Sequence, residues 1–343
     1  MNTPMHSNHP LQPLWNLAAA PMQVQALQQA VTLQLFDRLE RPMSSAIVAQ
    51  TLTLQPDSTA IWLDLLWSMG LLHRHADLEN QAPEYAATDI AMRYFRHTSP
   101  QCCAPAWQAR ADFLADFSTQ WETLLRQGIS TPEKPQPERW AQAARSHLGL
   151  EQRAVSAAQI APLLDRLPSL PAQGRFADVG GGPGHVAIAL AQHLPHWQGV
   201  VLEQGETTAV AQENIHAAGL HARLSAQSCN INHDNMGSGY DLIWCSSVLH
   251  FVQQPAAVVQ RLHDALAPDG RLLLAHAELA NEPSQAAQTL PFYAGVMLRG
   301  GTLPHARDVP RWMQAAGLSD IRALGSIPWA LAPLSVHTGR RAA

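Results

Sequence analysis

Apolar positions change their spacing along this chain, and the change divides it. Over residues 14–39 they recur at helical intervals (Leu17, Ala20, Val24, Leu27, Val31, Leu35, Leu39), which predicts one long helix. Two shorter helices are expected over 44–52 and 58–69, with a turn at Pro56, Asp57 placed as an N-cap and Gly70 ending the second. Residues 71–74 and 84–86 read as two short strands, completing a helix–turn–helix–wing order. Helical spacing resumes over 104–127 and, after a proline-rich break (TPEKPQPE), over 139–167. Pro168, Pro171 and Gly174 then punctuate the chain. Beyond them the period alternates. Strands are predicted over 176–179, 199–202, 240–245 and 271–277, with a weak one over 223–226. Helices are predicted after residue 184 and over 207–218, 255–266 and 309–316. That alternation implies a mainly parallel sheet with helices on both faces. The expected organisation is a winged-helix-like domain (11–103), linking helices (104–170) and an α/β domain (171–343). Residues before Leu11 are polar and proline-marked, and disorder is expected there.

Composition narrows the function classes. With 343 residues the chain suits two domains with proper cores. A net charge of -5 argues against a general nucleic-acid binder. The expected second helix of the winged module, STAIWLDLLWSM, has no Lys or Arg and carries Asp64, which sets a transcriptional regulator aside. The four cysteines lack C-x-x-C spacing and read as reduced thiols. The N-terminus has no basic and apolar signal segment, and no apolar run could span a bilayer. A cytoplasmic protein with no membrane or nucleic-acid partner is the expectation.

The most informative stretch is RFADVGGGPGHVAIALAQHL, residues 175–194. It joins a buried strand to a helix through Gly180, Gly181, Gly182 and Gly184, presenting bare backbone and a helix N-terminus to a ligand. The nicotinamide fingerprint G-x-G-x-x-G fails, because His185 stands where its third glycine belongs. Glu203 ends the next strand, and an acid about 20 residues past such a turn suits a ribose diol. Asp178 before the glycines, D-V-G-G-G-x-G, and the strand-end acid together resemble the S-adenosylmethionine (SAM) site of class I methyltransferases. More narrowly, the chain resembles small-molecule O-methyltransferases of the hydroxyindole and caffeate type, which carry an N-terminal winged-helix dimerisation domain.

The resemblance implies a Rossmann-like, seven-stranded SAM domain preceded by a winged-helix dimerisation domain, and a homodimer acting on a small molecule in secondary metabolite biosynthesis. The antiparallel edge hairpin of that fold falls on residues 321–324 and 331–337. Asp178, Gly180, Gly182 and Gly184 would hold the methionine end of SAM, and Glu203 its ribose. Cys229 and Asn230 stand where Gly-Asp-Phe usually flanks the adenine, and Ser246 where a basic residue is common. His250 follows the strand YDLIWC in the segment VLH, where the family has its general base; Phe251 replaces the usual Asp. A neutral imidazole suits removal of a proton from a phenolic or enolic hydroxyl, so the expected reaction is methyl transfer to a hydroxyl of an aromatic or heteroaromatic metabolite. N- or C-methylation, or non-methylating chemistry on a SAM-binding scaffold, remain alternatives because a fold does not fix the acceptor atom. His276, Phe292, Met297 and His305 are candidates for the substrate pocket. Ligand spacing for a metal is absent, so none is expected. Trp107, Trp121 and Trp140 are candidates either for core packing or for the wall of a pocket for a flat molecule.

Overall fold

The computed structural model describes residues 9–75, 82–128, 137–168 and 170–343. The extreme N-terminus, most of the wing's connecting loop and most of the TPEKPQPE break lie outside the described residues. The chain divides into two compact units, residues 1–111 and 112–343.

In the first unit the expected long helix is two. Helix Gln12–Thr32 stops, Gln34 takes a left-handed φ of 51°, and a short helix Leu35–Arg38 resumes. The break turns Leu35, Phe36 and Leu39 into a core shared with Leu27, Leu63, Leu66 and Tyr85. Helix Ser45–Leu52 is capped by Ser44, whose Oγ accepts from the Ile47 N–H at 3.4 Å. The next helix begins earlier than expected, at Pro56–Ser68. Proline pre-sets the first helical φ, so Asp57 lies in the first turn and acts on the helix dipole rather than as a cap. The strands β1 (Met43–Ser44), β2 (Leu72–His75) and β3 (Glu84–Ala87) pair antiparallel in the order β1-β3-β2. Asp64 ties the second helix to this wing: it accepts from Tyr85 Oη at 2.8 Å and pairs with Arg74 Nε at 3.3 Å.

The second unit is built on a seven-stranded sheet: β4 (Gly174–Val179), β5 (Trp197–Glu203), β6 (Leu224–Ser228), β7 (Tyr240–Ser246), β8 (Leu266–His276), β9 (Ser319–Ile327) and β10 (Leu334–Arg340). Their order is β6-β5-β4-β7-β8-β10-β9. Strands β4 to β8 pair in parallel, and β10 runs antiparallel to β8 and β9, which is the expected edge hairpin, longer than predicted. Side chains alternate between two cores. Leu242, Trp244, Leu273 and Ala275 meet Val186 and Leu190 of helix His185–His193. Ile243, Cys245, Leu272 and Leu274 meet Val258 and Leu262 of helix Pro255–Ala265 and Met313 of helix Asp308–Ala315. The chain winds outward from β4 on one side and from β7 on the other. A crevice therefore opens beyond the carboxyl ends of those two strands, where open α/β sheets take their ligands.

The expected helix over 139–167 is not continuous. It runs as Pro137–Ala143, a π-helical turn Ala144–Leu148, Gly149–Glu151, a second π turn Gln152–Ser156, a 3-10 turn Ala157–Gln159 and Ile160–Leu164. Each π turn takes in an extra residue and re-aims the side chains that follow.

Candidate cofactor and acceptor site

The glycine turn closes β4 onto helix His185–His193 with its backbone bent three times into the left-handed region, at Gly180 (φ 71°), Gly182 (φ 57°) and Gly184 (φ 83°). At Gly180 a Cβ would sit 2.2 Å from Val248 Cγ2, so any side chain there would force Val248 to move. Glu203, at the end of β5, reaches across and accepts from the Gly182 N–H at 2.9 Å and the Gln204 N–H at 2.7 Å. Burial raises its carboxyl above the ordinary value, against those two hydrogen bonds. Asp178 lies fully buried under the turn and receives the Ala187 N–H, but its Oδ2 has no partner. Burial first, and repulsion from Glu203 second, push its carboxyl up to about 7.

A second cluster forms at the end of β7. His250 sits on the 3-10 turn Leu249–Phe251, only 5% exposed, and burial pushes its imidazole down to about 4. It is therefore neutral at neutral pH. Its ring meets Tyr293 edge-to-face at 5.2 Å between centroids, and the Phe251 ring lies tilted at 4.0 Å. Phe251 is 54% exposed and packs edge-on against Trp140 at 5.0 Å. The residue that replaces the expected Asp thus extends an aromatic surface, Trp140–Phe251–Tyr293, around the histidine. Gly301 packs on the same turn, where a Cβ would come 2.8 Å from the His250 carbonyl oxygen. Of the other tryptophans, Trp107 packs with Phe95 inside the first unit and Trp121 meets Phe117.

His276, the last residue of β8, is buried, and neither ring nitrogen has a partner. Burial holds it well below its ordinary value, with smaller contributions from His250 and His337. His337, on the neighbouring strand β10, is bonded through Nε2 to Glu278 at 2.8 Å. Among the described residues no group of three His, Cys, Asp or Glu side chains is arranged to hold a metal ion.

The remaining predicted residues are dispersed. Cys229 is buried and its N–H donates to the Glu203 carbonyl at 2.8 Å; burial raises its thiol, which makes it a packing residue without nucleophilic character. Asn230 Oδ1 accepts from the backbone and side chain of Asn232 at 3.0 Å each. Ser246 Oγ accepts from Trp244 Nε1 at 3.0 Å. Phe292 and Met297 are half-buried against the core on helix Leu290–Met297. His305 is exposed, and its backbone N–H donates to Asp308. The sequence reading omitted Tyr293, the His337–Glu278 pair and Gln152, which hydrogen-bonds the glycine turn. Tyr293 adjoins a residue already singled out; the other two carry no local pattern.

A glycine cradle, a strand-end acid bonded into it and an unpartnered buried carboxylate oxygen beneath fit a cationic ligand bearing hydroxyl donors, and SAM has both. On this topology, that combination defines a class I methyltransferase. Residues 177–272 match the methyltransferase domain family, and residues 15–97 match the O-methyltransferase dimerisation domain family. The chain therefore carries a methyltransferase domain and an O-methyltransferase dimerisation domain. It is 26% identical over 324 residues to 3-hydroxy-5-methyl-1-naphthoate 3-O-methyltransferase of Streptomyces sahachiroi, covering 91% of this chain and 90% of that protein. Over 139 residues it is 27% identical to L-tyrosine C(3)-methyltransferase of Streptomyces lavendulae, covering 39% of this chain and 38% of that protein. Its fold matches the crystal structure of human N-acetylserotonin methyltransferase in complex with SAM, with a TM-score of 0.76 at 18% identity, over 98% of this chain and 99% of that one.

Proposed function

We propose that this enzyme transfers a methyl group from SAM to the hydroxyl of a small aromatic metabolite, with His250 as general base. The observation that carries the reading is a buried, neutral imidazole at the end of β7, set among Tyr293, Phe251 and Trp140. SAM, when bound, supplies a methyl group on a sulfonium that departs as a neutral thioether. Everything else falls to the chain. Glu203 would accept from the ribose hydroxyls, Asp178 would offer its unpartnered oxygen toward the positive charge, and the glycine backbone would leave room for the approach. Cys229 and Asn230, just past β6, and Ser246, at the end of β7, would lie on the adenine side. The aromatic surface orders a flat ring so that its hydroxyl meets the histidine, and His250 takes the proton as the oxygen–carbon bond forms.

The low basicity of His250 supports a phenol over an aliphatic alcohol. An imidazole held near 4 is always ready to accept a proton but accepts weakly, so it serves an acceptor whose own proton is labile. His276 contributes as a second buried polar group behind the base, in place of the absent Asp. Phe292 and Met297, half-buried on their helix, and the exposed His305 would contribute to the substrate side. Two finer points join the proposal: the enzyme is a homodimer through its N-terminal unit, and its substrate is free of nucleic acid and membrane. Among the described residues no helix is long and apolar enough to cross a membrane.

Incubation with SAM and a panel of naphthols and hydroxyindoles, followed by mass spectrometry and NMR of the product, tests the reading. A gain of one methyl on oxygen is the expected result. A deprotonated phenol is also nucleophilic at its ortho carbon, so methylation there would keep His250 as base and overturn the assignment of the acceptor atom. Methyl transfer to aliphatic alcohols in preference to phenols would overturn the proposal.

A further inference from the structure

The glycine turn is held from outside by a residue of the linking segment. Gln152 opens the second π turn and spans the loop with both ends of its side-chain amide: Oε1 accepts from the His185 N–H at 3.0 Å, and Nε2 donates to the Gly181 carbonyl at 3.1 Å. His185 is the first residue of its helix, so its N–H is one of the donors left without an intrahelical partner. The Gly181 carbonyl accepts from the Gly184 N–H at 3.0 Å within the turn, and the amide gives it a second donor. A carboxylate could satisfy only the first of these groups and an ammonium only the second; an amide satisfies both. The π geometry has a consequence here, because the extra residue per turn places a side chain at a point an uninterrupted α-helix would not reach. Arg145, on the preceding π turn, forms a two-pronged pair with Glu213 and fixes the same segment to helix Thr207–Ala217.

We propose that Gln152 is a positioning residue for SAM: its amide sets the Gly181–His185 turn in the shape that receives the amino-acid end of the donor. The inference rests on the SAM reading of this turn. Glu203 at the Gly182 N–H and the Gly184 N–H on the Gly181 carbonyl tie the turn from within, and Gln152 adds the tie from the facing segment at its helix end, next to the left-handed Gly182 and Gly184. With both ends of the amide engaged, the Gly181–Pro183 segment is fixed before the donor arrives, and little ordering remains to be done on binding. Beneath it, the unpartnered Oδ2 of Asp178 marks the inner wall of the same cradle.

Calorimetry on full-length protein tests the proposal, using S-adenosylhomocysteine, which has the amino-acid tail, and 5′-methylthioadenosine, which lacks it. The variants are Gln152→Glu, which keeps the acceptor for His185 but loses the donor to Gly181 and adds a negative charge, and Gln152→Ala. Losing both hydrogen bonds and their ordering should weaken S-adenosylhomocysteine by about 10-fold in the Ala variant, and the Glu variant, which loses one and adds a negative charge, should weaken it at least as much. Methylthioadenosine should change by less than about 3-fold, and the KM for SAM should rise with kcat largely kept. Unchanged affinity for both compounds overturns the proposal. So does an equal loss for both with a lowered melting temperature, which would make Gln152 a general structural residue. Wild-type protein that binds neither compound would overturn the SAM reading itself, and this inference with it.

Discussion

The burial of single ionisable side chains sets the chemistry of this crevice. Asp178 titrates near 7 because it is buried beside a second carboxyl, and its ionised form has one oxygen without a donor. The folded-state value is raised, so the protonated form is favoured: the associated stability is fully present below the unfolded value of 3.8 and is lost as pH rises through about 7. Two results follow with opposite signs. Affinity for S-adenosylhomocysteine, which carries an ammonium, should tighten as pH rises through about 7, while the unliganded fold weakens over the same range. Asp178→Asn should flatten both profiles, raising the melting temperature of the unliganded protein at alkaline pH but not in acid, and losing affinity. Calorimetry and thermal melts across pH check this; wild-type affinity that is flat from acid to alkaline pH would contradict it. His250 behaves in the reverse sense. Its value is depressed, so it stays neutral over the physiological range, and its acid limb on turnover belongs near 4 rather than at the ordinary histidine value.

At the scale of elements, the glycine turn and the strand after it were readable because their signal is local. A left-handed φ with Val248 packed against it favours glycine at 180, and a buried strand such as YDLIWC is apolar at every position but Asp241. Gly180→Ala should destabilise the protein by roughly 1–3 kcal/mol, from a left-handed φ and the clash with Val248, and should abolish binding at the turn. Denaturant melts and calorimetry read both effects, and wild-type values for the variant would contradict the account. The parts that escaped the sequence depend on distant residues. Apolar spacing continues past Thr32, so the break at Gln34 left no mark; it follows from packing of Leu35 and Phe36 against Leu63 and Leu66. The π turns are likewise invisible in the period of residues 139–167. The neighbour of His250 that replaces the usual Asp was visible as Phe251, but its partnership with Trp140, far off in the sequence, is made only by the fold. Gln152, one glutamine among many in this chain, had nothing to distinguish it until its two hydrogen bonds were seen.

The whole molecule joins a unit that matches an O-methyltransferase dimerisation domain to one that matches a methyltransferase domain. The first unit leaves an apolar face exposed on its N-terminal helix. Leu27, Leu35 and Phe36 are spent on the unit's own core, while Leu14, Trp15, Leu17 and Met22 are between 59% and 70% exposed. Such a face is costly in water, and a two-fold pairing is the commonest way to cover it. Light scattering should give a dimer for the wild type and a shift toward monomer for Leu17→Glu; a wild-type monomer at micromolar concentration would contradict this.

The claim on which the functional account rests is that His250 takes the acceptor's proton. The most direct measurement is single-turnover methyl transfer to a phenol that is neutral at the assay pH, comparing wild type with His250→Ala. The account predicts a loss of about 10²–10⁴-fold in the methyl-transfer rate with affinity for S-adenosylhomocysteine unchanged. Full activity in the variant with that neutral acceptor would contradict it.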